Sequence, residues 1–174
     1  MAARRSRWPI SARRIGAILL RCASEGDSAL VFTRRLDAAP ARVWQAYTSP
    51  ALLGRWMMGP PGWPMTRAQF DPRAGGLIHL EWSDRLGQAL ALTGEVIEAE
   101  PPYRLLHVER LHLPEASPEN VVETLLAPEA GGTNLMLHMR LPDAAARDEM
   151  LAGGLAEGLE DSFVRLESLL ASGF

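Results

Sequence analysis

The sequence predicts an α+β domain in which a curved antiparallel sheet of about seven strands wraps a long C-terminal helix, with two short helices after the first strand. Three observations carry this prediction. From Met65 to Leu141, short apolar or alternating runs are separated by turn residues, which is strand periodicity. Two proline-started helical patterns abut between residues 40 and 56. Leu151, Leu155, Leu159, Phe163, Leu166 and Leu170 then recur at spacings of three or four, the stripe of an amphipathic helix. The 174 residues suffice for one ordinary domain, and 47% hydrophobic against 22% charged residues is a globular composition.

Residues 1–27 read as an Arg-rich head, disordered or loosely packed, ahead of a single domain over 28–174. Arg4, Arg5, Arg7, Arg13, Arg14 and Arg21 occur there with no acid before Glu25. The head's apolar run, Ile15 to Leu20, is shorter than the ~7–15 residues of a signal peptide core and the ~20 of a membrane span. Secretion and stable membrane insertion are therefore not expected; a weak surface-seeking or partner-binding helix is the alternative.

Ser28 to Leu36 reads as the first strand. Pro40 suits the first position of a helix carrying Val43, Trp44 and Tyr47, and Pro50 starts a second with Leu52, Leu53 and Trp56. Gly59-Pro-Pro-Gly62 stops it. Six strands follow in three pairs: Met65–Phe70 with Leu77–Trp82, Ala89–Glu98 with Arg104–Leu113, and Val121–Leu126 with Asn134–Leu141. In the last strand Leu135, Leu137, Met139 and Leu141 share one face. Asp143 can cap one long helix from Ala144 to Ala171, roughly 42 Å at ~1.5 Å per residue. Gly153, Gly154 and Gly158 inside it each cost about 1 kcal/mol relative to Ala, which points to a kink or a close approach.

Composition excludes several functions. All 18 basic residues are Arg, so Schiff-base lysine chemistry and lysine-dependent phosphate loops are out. Beyond residue 24, 12 Arg face 21 acids, an acidic body that argues against nucleic-acid binding. The single Cys22 permits no intrachain disulfide and lacks zinc or redox spacing, which makes a reducing cytoplasm the expected setting.

No nucleophile elbow or metal motif occurs, so neither cofactor nor metal is expected and nothing demands catalysis. His107 and Glu109 stand two apart on one strand and share a face with Leu105 and Leu111. Turned inward, they form a buried acid/base pair; with Leu106 and Val108 inward instead, they are solvated and inert. Trp56, Met57, Met58, Trp63 and Met65 crowd a Gly/Pro-rich loop, either the mouth of a ligand cavity or a core plug under the short helices.

Phe32-Thr-Arg-Arg-Leu-Asp-Ala-Ala-Pro40, Val43-Trp44, Ala46-Tyr-Thr-Ser-Pro50, Leu53-Gly-Arg-Trp56 and Gly59-Pro60 together resemble the opening of a known family. Asp71-Pro-Arg-Ala-Gly-Gly76, Gly94-Glu-Val96, Pro101-Pro102 and Gly158-Leu-Glu-Asp-Ser-Phe-Val-Arg-Leu166 continue the match in order. The family is the activator-of-Hsp90-ATPase-like branch of the START/Bet v 1-like superfamily, the SRPBCC domains with a helix-grip fold. The resemblance covers roughly residues 28 to 171 and is fold-specific. It departs at Met57 and Leu159, where relatives often carry Trp, and near Glu109, where they often carry an aromatic residue.

The resemblance implies a cavity between sheet and helix for an apolar small molecule, lined here by Trp56, Met58, Trp63, Trp82, His107, Glu109, Leu155, Leu159 and Phe163. A hydrophobic or aromatic metabolite or a lipid is the expected ligand. Two alternatives stand beside it: a cyclase- or hydratase-type enzyme with His107 and Glu109 as catalytic candidates, and a protein-interaction domain, chaperone-associated or homodimeric. Eukaryotic Hsp90 activators carry a second, N-terminal domain, and only 27 residues precede the first strand here, so Hsp90 is a doubtful partner.

Overall fold

A computed structural model describes residues 20–112 and 115–174. Eight strands form one antiparallel sheet: β1 (Arg21–Glu25), β2 (Ala29–Leu36), β3 (Met65–Phe70), β4 (Leu77–Ser83), β5 (Ala89–Glu100), β6 (Arg104–His112), β7 (Asn120–Glu129) and β8 (Gly132–Arg140). Their spatial order is β1-β2-β8-β7-β6-β5-β4-β3, so β3 to β8 make a meander and β2 closes onto β8. Between β2 and β3 lie α1 (Pro40–Thr48) and α2 (Pro50–Trp56); α3 (Ala144–Ala152) and α4 (Leu155–Ser172) follow the sheet.

The alternation that marks the strands also sets which face is buried. Leu30, Phe32 and Leu36 of β2, Ile78, Leu80 and Trp82 of β4, Val122 and Leu126 of β7, and Leu135, Leu137 and Met139 of β8 are all buried. Against them stand Val43, Ala46, Tyr47, Leu52, Leu53 and Trp56 of the short helices and Phe163, Leu166, Leu169 and Leu170 of α4. The helices occupy one side of the sheet, and the backbone of α4 runs beside α1, α2 and α3.

Two sequence expectations are corrected. The sheet has eight strands where the sequence predicts about seven, because Arg21–Glu25 pairs with β2 from Arg21 opposite Thr33 to Glu25 opposite Ala29. All five β1 residues are exposed, so the strand has no inward apolar alternation to betray it. The expectations for residues 1–19, and the end of the expected Arg104–Leu113 strand, lie outside the described residues.

The single long helix is the other correction. Gly154 adopts φ +92°, a left-handed conformation that L side chains avoid, and the chain turns there between α3 and α4. Asp143 does cap α3, accepting from the Ala146 N–H at 2.8 Å. No helix among the described residues is long and apolar enough to cross a membrane.

Candidate ligand-binding site

The inner face of β6 carries the two ionisable residues that the sequence marks. Leu105 and His107 are buried, and the Glu109 side chain is only 13% exposed, so parity resolves in favour of the inward pair. His107 lies between Val96 of β5 and Val122 of β7, both buried. Glu109 lies between Gly94 of β5 and the buried Asn120 of β7. A Cβ on Gly94 would stand 2.2 Å from the Val108 carbonyl oxygen, so only glycine lets β5 approach the strand bearing the pair.

His107 Nε2 stands 3.0 Å from Glu109 Oε2. The carboxylate can only accept, so Nε2 carries the proton, and in the neutral ring Nδ1 is an acceptor. That Nδ1 is buried without a hydrogen-bond partner, and so is Thr124 Oγ1 on β7. Tyr47 reaches the same region from α1. Its burial, and secondly the Glu109 charge, push its hydroxyl pKa well above the ordinary tyrosine value.

The other expected lining residues divide into two groups. Trp56 packs against Tyr47 at 4.9 Å between ring centroids and stacks on Phe163 at 6.2 Å. Trp56 donates its indole N–H to the Ala46 carbonyl and Trp82 donates its own to the Met57 carbonyl. Trp56, Trp82 and Phe163 are buried and bind the short helices to α4 and the sheet. Met58, Trp63, Leu155 and Leu159 are half-buried, as are Leu92 of β5 and Leu111 of β6 on the inner face. The Met58 backbone N–H donates to Ser162 Oγ at 3.1 Å, which ties the loop after α2 to α4.

A buried ionic cluster escaped the sequence reading. The Arg34 side chain on β2 is 0% exposed and bonds Glu160 at 2.7 Å and Glu167 at 2.8 Å on α4. Burial alone would lower its pKa, but hydrogen bonds and charge from Glu167 and Glu160 outweigh that and raise it. The Leu20 backbone N–H donates to Glu160 Oε2 at 2.8 Å, so the chain entering β1 meets the same cluster. The signal was strand parity, since Arg34 follows Leu30 and Phe32 at spacings of two.

The four histidines do not converge. His112 contacts Thr93 Oγ1 at 2.8 Å, His138 lies 3.0 Å from Glu25, and His79 lies 3.9 Å from Glu81, each on the face opposite His107. Among the described residues no group of three or more His, Cys, Asp or Glu side chains could hold a metal ion.

The family model described as activator of Hsp90 ATPase homolog 1-like protein matches residues 37–171, which takes in both short helices, six of the eight strands and nearly all of α4. The chain belongs to this family. Among solved structures, a protein from Rhodobacter sphaeroides is 37% identical, with a TM-score of 0.81 over 88% of this chain and 98% of that one. Protein Ms6760 from Mycobacterium smegmatis, at 22% identity and TM-score 0.78, covers 88% of this chain and 98% of its own. Protein NE0264 from Nitrosomonas europaea, at 23% identity and TM-score 0.74, covers 86% and 97%. The last two likenesses are of fold. No curated protein matches the sequence. Within the activator-of-Hsp90-ATPase-like fold, this chain places the His107–Glu109 pair on the inner face of β6.

Proposed function

We propose that this activator-of-Hsp90-ATPase-like domain binds a small hydrophobic or aromatic molecule between the inner face of the sheet and α4. The observation that carries the reading is a set of large apolar side chains, Leu92, Leu111, Leu155 and Leu159, that pack against the core yet remain half-buried. Closing a ligand over such groups removes their remaining apolar surface from water at roughly 25 cal/mol per Å². The reading takes no cofactor, and a cytoplasmic setting belongs to it. Native mass spectrometry of the protein purified from its own host tests it. A bound mass released on denaturation is expected; a bare chain that also takes up no apolar probe would count against it.

One observation favours a second reading, an acid/base enzyme of cyclase or hydratase type. His107 and Glu109 are in contact on the inner face, as a general acid/base pair requires. Replacing Glu109 with Gln keeps the shape and removes the charge. Under the enzyme reading it abolishes turnover with little change in substrate affinity; under the binding reading it leaves apolar ligand affinity within a factor of a few.

A further inference from the structure

Two buried polar atoms on neighbouring strands lack hydrogen-bond partners, and both belong to the inner face. His107 pairs across the sheet with Val122, and Thr124 lies two residues further along β7, opposite Leu105. His107 and Thr124 are therefore diagonal neighbours on one face, with Cα atoms roughly 7–8 Å apart. The side chains flanking the two on the same face, Leu105, Val122, Val96 and Leu137, are all apolar and buried, while Glu109 and the Tyr47 hydroxyl lie on the Nε2 side of His107. An unpaired polar atom in such surroundings is costly, and two on diagonal positions of one face suit a common partner.

We propose that His107 Nδ1 and Thr124 Oγ1 form a two-point anchor for a hydroxyl group, so that the ligand is a hydroxylated aromatic or alicyclic compound, not a bare hydrocarbon or a carboxylate. This rests on the ligand-binding reading and narrows it. The chemistry follows from the proton inventory. Because the Nε2–H donates to Glu109, Nδ1 of the neutral ring needs a donor. Thr124 can donate to an oxygen. A hydroxyl satisfies both with one atom: it donates to Nδ1 and its oxygen accepts from Thr124. An ether or ketone offers only the acceptor, and a carboxylate would meet the nearby negative charge of Glu109.

The test compares naphthalene, 2-methoxynaphthalene and 2-naphthol, three probes of similar apolar body, by calorimetric or fluorescence titration of the full chain. The anchor predicts that 2-naphthol binds about tenfold or more tightly than naphthalene, one hydrogen-bonded group's worth, with 2-methoxynaphthalene close to naphthalene. Thr124→Val should shrink the preference, and Thr124→Ser, which keeps the hydroxyl, should preserve it. The His107 Nδ1 nitrogen resonance should move on addition of 2-naphthol and stay in place with naphthalene, a readout in the native chain that does not depend on either variant folding. Equal affinities for naphthalene and 2-naphthol would overturn the anchor while leaving the binding reading intact, since water would then satisfy the two atoms. Failure of all three probes to bind would overturn both. An undiminished preference in a folded Thr124→Val protein would remove Thr124 from the anchor and refute the two-point form.

Discussion

Arg34 illustrates how much a single inward charge organises. Its guanidinium is wholly enclosed and spans from β2 to two carboxylates on α4, which are themselves 26% and 36% exposed. Removing it with Arg34→Met leaves carboxylates that can still take water. The expected loss in urea unfolding is about 1–3 kcal/mol, below the ~3–5 of a fully enclosed pair. Neutralising the partners as well, with Glu160→Gln and Glu167→Gln, should recover part of it; a loss under about 0.5 kcal/mol for Arg34→Met would mean the cluster adds only specificity. Tyr47 gives a prediction in pH. Its folded-state pKa is raised by burial first and Glu109 second, whereas an unfolded tyrosine ionises near ~10. The folded chain therefore holds a proton that the unfolded chain releases, and this contribution to stability, complete below about pH 10, is lost as pH rises beyond it. Tyr47→Phe should flatten the alkaline fall of the urea midpoint; an unchanged slope would contradict the assignment. Parity placed His107 and Glu109 on one face in the sequence, but which face was undecidable until the register fixed Leu105 as a core residue.

At the scale of elements, turn chemistry decided what was legible. Pro40 and Pro50 open α1 and α2 where the sequence expects them, and six strands from β3 to β8 fall within a few residues of their expected bounds, because proline, glycine and alternation are local signals. The leucine stripe of the last helix is equally visible, yet it runs on through the break, since Leu151 in the last turn of α3 keeps the four-residue spacing to Leu155 and Leu159. Gly153 and the left-handed Gly154 separate the two helices. Gly154→Ala should cost about 1–2 kcal/mol by thermal or chemical unfolding, because alanine resists that conformation. A neutral or stabilising result would indicate that the chain readily forms the continuous helix instead. The β1 strand was illegible for the opposite reason: with every side chain exposed, its existence rests on backbone pairing with β2 alone.

Across the whole molecule, the sheet, the short helices and the C-terminal half of α4 close a continuous apolar core around Phe32, Trp56, Leu135, Phe163 and Leu166. On β5 and β6 the same inner surface carries half-buried Leu92 and Leu111 together with the His107–Glu109 pair, and the N-terminal half of α4 carries half-buried Leu155 and Leu159. The division follows from side-chain size and parity across four separate strands and a helix, which no single stretch of sequence displays. Its functional meaning is the claim that a small apolar molecule completes this part of the core. The most direct measurement is an isotope-filtered NMR experiment on leucine methyl-labelled protein with added 2-naphthol. The account predicts nuclear Overhauser contacts from the ring protons to the methyls of Leu92, Leu111, Leu155 and Leu159. Contacts confined to exposed residues such as Leu77 and Leu86, or none at all, would contradict it.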